Sequence, residues 1–245
     1  MTTIIKGQPT SAEIRSQLAA EGRTVLVAFS GGKDAIATEL ALQDAGVETR
    51  LAALYYIPGR EPGRTLQFVE DGYARLEDAL GKQIHRYPHP SLYRWLNNFV
   101  FQPPERCEVI EAAQLPTVTY EEMWSYIRED LGLPADTWVA DGVRAADSIV
   151  RRASLSKHGV MKKHLLKVSP IADWLKAEVL GRITAAGIQL PVDYDPDMFG
   201  RSFDGIDFRF VEPVSRRFPD DYQRIREWFP LVDLEFVRRG LEVPA

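Results

Sequence analysis

Residues 25–34, VLVAFSGGKD, carry a run of small apolar and β-branched residues straight into a turn holding two adjacent glycines, and a helical pattern, KDAIATELALQDAG, begins at once. Gly31 and Gly32 open backbone conformations closed to other residues and let a ligand approach the main chain. The helix that follows, apolar at Ala35, Ala37, Leu40 and Ala41, aims its N-terminal N–H groups and the positive end of its dipole into the same turn. Such a turn can cradle a phosphate; taken alone, it is also an ordinary strand-to-helix loop with Asp34 as a first-turn acid. It is not a Walker loop, which needs a glycine where this chain has Val27 and a Ser or Thr where it has Asp34. Nor does Gly31-Gly32 have the spacing or third glycine of a dinucleotide fingerprint.

The rest of the chain supports a strand at that position. Strand and helix alternate: a helix over 11–20, strands at 24–29 and 49–56 around a helix at 35–45, a helix at 66–80, and a strand at 83–87. Residues 92–133 read as a mostly helical insertion, broken at QPPERCE, with a good helix over 120–130. The α/β pattern resumes with a strand at 137–140 and a fifth strand in HLLKVSPIAD, followed by a helix N-capped by Asp173 and ended by Gly187. KHGVMKKH, residues 157–164, is a basic run that reads as a solvated loop or a lid. The expected fold is α/β, a doubly wound, mostly parallel five-stranded sheet forming a domain over 1–190. A C-terminal tail over 191–245, with helical patterns at 219–228 and 230–239, is expected to pack on it.

Composition narrows the function. At 245 residues and 45% apolar content the chain can bury a sizeable core. A formal charge of −5 gives no general attraction to nucleic acid, so any basic site must be local. No stretch is long and apolar enough to span a membrane, and residues 1–17 lack the apolar core of a secretion signal, so a cytoplasmic protein is expected. One cysteine, Cys107, excludes an internal disulfide, a thiolate zinc site and an iron–sulfur cluster.

SGGKDA resembles the Ser-Gly-Gly-x-Asp-Ser pyrophosphate loop (PP-loop) of the adenine nucleotide α-hydrolase superfamily, with Ala35 in place of the final Ser. PGRTLQFVEDGYARLEDALGKQI, DGVRAADSIVRR and KVSPIADWLKAEV resemble, in order, three segments of the phosphoadenosine phosphosulfate reductase-like group within it. The resemblance covers about residues 24–191 and implies a HUP-like nucleotide-binding fold. It implies that Ser30 and the N–H groups of Gly31, Gly32, Lys33 and Asp34 hold the β- and γ-phosphates of ATP, with Lys33 adding a charge. Adenine would lie along Ala53, Leu54 and Tyr55, or the neighbouring Tyr56. Gly142 would permit a tight turn, Arg144 would project into the crevice beyond the sheet, and Arg151 and Arg152 would follow on a helix. Asp147 stands where the family has Glu. Asp34 and Asp141 are the candidate Mg²⁺ ligands, Asp34 equally a first-turn helix acid and Asp141 equally a plain strand-end carboxylate.

The resemblance fails at the C terminus. The thiol-dependent reductases carry a catalytic cysteine there, and this chain ends EFVRRGLEVPA, with no cysteine after Cys107. The family's Asp-Thr-Gly after the second strand is replaced by YYIPGREPG. The expected activity is therefore adenylation of an acceptor by ATP with release of pyrophosphate, a transferase-type reaction in which Lys33, Asp34 and Arg144 supply charge and positioning. The alternatives are a sulfonucleotide reductase with an unusual thiol source, and a non-catalytic nucleotide-binding protein acting beside a protein or nucleic-acid-binding partner. The partners expected are an adenine nucleotide and an acceptor substrate, with a homodimer as an expected assembly.

Overall fold

In a computed structural model, which describes residues 5–200, 203 and 205–244, the apolar run after Thr24 becomes the central strand of a six-stranded sheet. The strands are β1 (Val25–Ala28), β2 (Thr49–Tyr55), β3 (Ile84–Pro88), β4 (Val139–Ala140), β5 (Met161–Lys162) and β6 (Lys167–Val168), in the order β3-β2-β1-β4-β6-β5. β1 pairs parallel with β2 on one side and β4 on the other, β4 pairs parallel with β6, and β5 is antiparallel to β6. The chain runs outward from β1 in both directions, which makes the doubly wound arrangement and puts the point of reversal between β1 and β4. The helices are α1 (Ser11–Glu21), α2 (Lys33–Asp44), α3 (Gln67–Leu80), α4 (Pro90–Asn97), α5 (Pro104–Ala113), α6 (Tyr120–Asp130), α7 (Ile149–His158), α8 (Lys176–Ala185), α9 (Phe208–Arg217), α10 (Pro219–Trp228) and α11 (Leu234–Val237).

Two compact units share the chain. The first comprises Met1–Ala53, Leu76–His85 and Trp124–Leu190; the second comprises Leu54–Arg75, Arg86–Met123 and Pro191–Ala245. In the first, Leu26, Val27 and Leu51 of the sheet are fully buried, and α2 is buried from Ala35 to Leu42 and packs on α8. The second has its own core, in which Ile57, Leu66 and Phe68 join Leu92, Phe210, Val214, Ile225 and Phe229. The boundary expected at residue 190 falls where a unit ends. The second unit, however, takes in residues 54–75 and 86–123 besides the tail, and residues 124–133 of the expected insertion belong to the first. The outermost residues of the two expected domains, 1–4 and 245, lie outside the described residues, as does the first part of the segment read for a secretion signal.

Four local expectations are corrected. The sheet has six strands rather than five, because KHGVMKKH is neither a plain loop nor a lid: it ends α7, turns at Gly159 and forms β5. Asp173 does not cap α8, which starts at Lys176 with the Glu178 carboxylate accepting the Leu175 N–H at 2.7 Å. Asp173 instead accepts the Ser11 N–H at 2.9 Å, an acceptor for the first turn of α1 supplied from 162 residues away. The pattern at 230–239 yields only the four-residue α11, and α9 forms around Pro213, whose burial with Phe210 and Val214 holds a helix its sequence disfavours.

Candidate functional site

β1 ends in the glycine pair because the chain must reverse into α2 within a few residues. Phe29 still donates to Ala52 O at 2.8 Å, keeping it in register with β2, and Ser30 then leaves the sheet, exposed. Gly31 adopts φ +73°, a left-handed conformation that disfavours any side chain, and Gly32 forms the N-cap of α2 with no side chain capping the helix. Its N–H donates to Ser30 Oγ at 3.4 Å. The first-turn N–H groups of α2 have no intrahelical acceptors and point out of the helix with its dipole, so the loop offers an anion both direction and charge.

β4 delivers the second half. Its pairing with β1 carries Gly142 so close to α2 that an added Cβ would stand 2.9 Å from the backbone carbon and the Cβ of Asp34. The glycine expected to permit a turn is therefore required by close approach, and its φ lies outside the left-handed region. Two residues on, Arg144 is buried, with all three guanidinium nitrogens engaged. Nε donates to Asp34 Oδ1 at 2.8 Å, one Nη to Asp147 Oδ1 at 2.5 Å, and the other to Trp174 O at 3.3 Å. Lys33 closes onto the second oxygen of Asp34, and Arg151 donates to the second oxygen of Asp147 at 2.6 Å. The result is an alternating chain of charge, Lys33–Asp34–Arg144–Asp147–Arg151, running from the loop to α7.

The structure thus brings Ser30, Gly31, Gly32, Lys33, Asp34, Gly142, Arg144 and Arg151 into one connected neighbourhood, with Arg144 meeting the loop through the Asp34 carboxylate. Arg152 is exposed on the same helix as Arg151. Asp141 ends β4, accepting Ser169 Oγ at 2.7 Å and the Val143 N–H at 3.2 Å. Burial pushes its carboxyl up, against those two bonds and the charges of Lys162 and Lys167. Ala53 is buried in β2 directly after the partner of Phe29. Leu54 and Tyr55 finish the strand in the second unit, where the His89 N–H donates to Tyr55 O at 2.8 Å and burial pushes the Tyr55 hydroxyl up.

As a test of fit for Mg²⁺, both carboxylate oxygens of Asp34 are paired with cations, and no group of three His, Cys, Asp or Glu among the described residues could hold a metal ion. The carboxylates present do not by themselves make a cation site. Two contributors escaped the sequence reading, Ser169 Oγ and the Trp174 carbonyl. The PIADW segment pointed to the neighbourhood, but a backbone carbonyl leaves no side-chain signal.

Neither a family model nor a curated protein matches this chain. Among solved structures it is similar to a predicted subunit of a tRNA methyltransferase from Methanocaldococcus jannaschii, at 18% identity and a TM-score of 0.37, covering 82% of this chain and 91% of that one. It is also similar to the NAD⁺ synthetase of Burkholderia pseudomallei, at 14% identity and a TM-score of 0.39, covering 90% and 89%. Likenesses this distant do not bear on chemistry. No described helix is long and apolar enough to cross a membrane.

Proposed function

We propose that this chain is a PP-loop enzyme that binds ATP and adenylates an acceptor, releasing pyrophosphate. The observation that carries the reading is the uncapped N-terminus of α2 behind Ser30-Gly31-Gly32, met from the neighbouring strand by Gly142 and Arg144. The first-turn N–H groups, the Ser30 hydroxyl and the Lys33 ammonium would take the β- and γ-phosphates. That leaves the α-phosphorus facing the acceptor. An acceptor oxygen forms its bond to the α-phosphorus as the bond to the β-phosphate bridging oxygen breaks, and pyrophosphate leaves with that electron pair. Its charge is met by the loop that already holds it, so catalysis is positioning and electrostatics, with no protein nucleophile required.

Lys33 and Arg144 share Asp34, which fixes the first turn of α2 before any ligand arrives. Mg²⁺ would enter on the phosphate oxygens it prefers, and Asp34 joins it only if one of its ion pairs opens. Sulfonucleotide reduction fits less well. It needs a thiolate, and the single cysteine is half-buried on α5, its Sγ against Gln102 O at 3.8 Å.

The test is a thermal-shift panel of ATP, AMP, adenosine phosphosulfate and phosphoadenosine phosphosulfate, each with and without Mg²⁺, followed by a pyrophosphate-release assay. ATP at a hundred times its Kd should add about 2.7 kcal/mol of apparent stability. Preference for the sulfated nucleotides would overturn the reading. ATP binding without pyrophosphate release, across carboxylate and phosphate acceptors, would reduce it to nucleotide binding.

A further inference from the structure

Between Asp147 and Asp173 the sequence holds six Lys or Arg and two His but no carboxylate, in a chain whose formal charge is −5. The structure gathers this segment at one end of the sheet. α7 carries Arg151, Arg152, Lys157 and His158; the chain turns at Gly159 and returns as β5, the edge strand, whose Lys162 leads into Lys163 and His164. Arg152, Lys157 and Lys163 are exposed and have no ion-pair partner among the described residues.

Core packing does not explain α7. Its one buried residue is Leu155, while Ile149 and Val150 are 88% and 77% exposed. An isolated ten-residue helix is marginal in water, and most helices of that length are kept by an apolar face turned inward. Here the helix is held at its ends: Ser148 caps it by accepting the Arg151 N–H at 3.1 Å, Arg151 pairs with Asp147, and Gly159 donates back to Leu155 O at 3.0 Å. A helix so presented, with Arg152 and Lys157 exposed and without an ion-pair partner among the described residues, is a surface built for something outside it.

We infer that α7 and the β5 edge form a nucleic-acid-binding surface that takes the phosphate backbone. The choice among polyanions follows from composition. Lysine is depleted at protein–protein interfaces and aromatic anchors are enriched, whereas this segment is lysine-rich and contains no Phe, Tyr or Trp. A membrane surface would use the same charges, but interfacial helices bind through a broad apolar face, and Ile149 and Val150 are too little of one. Phosphates at regular spacing along a chain suit separate, exposed ammonium and guanidinium groups. The two aliphatic residues then lie against sugar edges. With no aromatic group and no buried polar reader, the surface binds without regard to base sequence, and it does so whether or not the loop at Ser30 binds ATP.

The experiment is fluorescence anisotropy of the full chain with a labelled 30-nucleotide RNA and a DNA of matching mixed sequence over a range of salt, beside co-sedimentation with phosphatidylserine vesicles. Neutralising the triad in one variant, Arg152→Ala, Lys157→Ala and Lys163→Ala, should weaken nucleic-acid binding roughly tenfold or more and lower the salt slope by about 2 on single strands. A charge-retaining variant, Arg152→Lys, Lys157→Arg and Lys163→Arg, should keep it. Three exposed cations elsewhere, Arg75→Ala, Lys176→Ala and Arg239→Ala, should change little. All variants should melt like the parent. Parent binding that the triad does not affect would overturn the inference, as would binding to the vesicles alone or no binding to either nucleic acid.

Discussion

Asp34 is held from two sides, by Lys33 in its own turn and by Arg144 from the neighbouring loop, and Arg144 is in turn held by Asp147 and the Trp174 carbonyl. Breaking a buried pair from one side leaves its partners charged and unpaired, which costs far more than losing a surface contact. Arg144→Ala should therefore destabilise the protein by on the order of 3 kcal/mol, while Arg75→Ala, an exposed control, should change little. Urea denaturation of the two variants compares them directly, and equal midpoints would show that the Asp34–Arg144–Asp147 chain does not stabilise the fold. His89 poses a different residue-scale question. Its Nδ1 accepts the Ser91 N–H at 2.9 Å, so the ring proton sits on Nε2, which faces Tyr120 Oη at 3.2 Å, and the ring packs 4.2 Å from that of Tyr56. Burial, with the charge of Arg94, pushes its pKa down to about 4. A depressed value means that the neutral ring's contribution is intact above pH 6.5 and is lost as pH falls toward 4, roughly 3 kcal/mol in all. His89→Asn keeps an acceptor for the Ser91 N–H and cannot titrate. Denaturation at pH 7, 5 and 4 should show the parent losing that increment and the variant keeping its stability, once the change common to both is subtracted.

Helix starts are where sequence and structure part most often, because a first turn needs acceptors and the chain can supply them from anywhere. Where the cap is local the sequence shows it: Thr10 with Glu13 opens α1, and Pro219 stands at the start of α10. α3 has no such local signal. Asp221, on α10, accepts the Gln67 N–H at 2.7 Å and the Phe68 N–H at 2.9 Å, taking the place of an N-cap from more than 150 residues away. Removing it in Asp221→Ala should cost about 1 to 2 kcal/mol, the range found for lost caps, and Asp221→Asn, which keeps one acceptor oxygen, should recover part of it. Hydrogen exchange at the first turn of α3 checks this locally, and unchanged protection in the alanine variant would mean that the turn holds without the carboxylate. α2 is the counter-example. Its start has no side-chain cap at all, and the sequence announces that through the glycine pair.

At the scale of the whole chain, the chemistry is bounded by a single thiol. If adenylation is the reaction, Cys107→Ser should leave nucleotide-dependent stabilisation and pyrophosphate release unchanged, whereas loss of a sulfonucleotide-dependent activity in that variant would assign the cysteine to catalysis. Local features were enough to reveal β1, the glycine turn, α2, α6 and α10, since hydrophobic period, glycine and terminal proline act within a few residues of where they stand. The resemblance of DGVRAADSIVRR to a family segment, not local features, placed Gly142 and Arg144 among the residues of interest. Tertiary structure alone decided what those two touch: glycine at 142 is required by the backbone of Asp34, 108 positions earlier, and Arg144 finds its partners at Asp34, Asp147 and Trp174. It likewise turned Asp173 from the cap of α8 into an acceptor for α1, made β5 from a basic run, and joined the tail to residues 54–75 and 86–123. The physical reason is range. Periodicity and capping chemistry are fixed by neighbours along the chain, while close approach, desolvation and shared carboxylates depend on which distant segments the parallel sheet sets side by side.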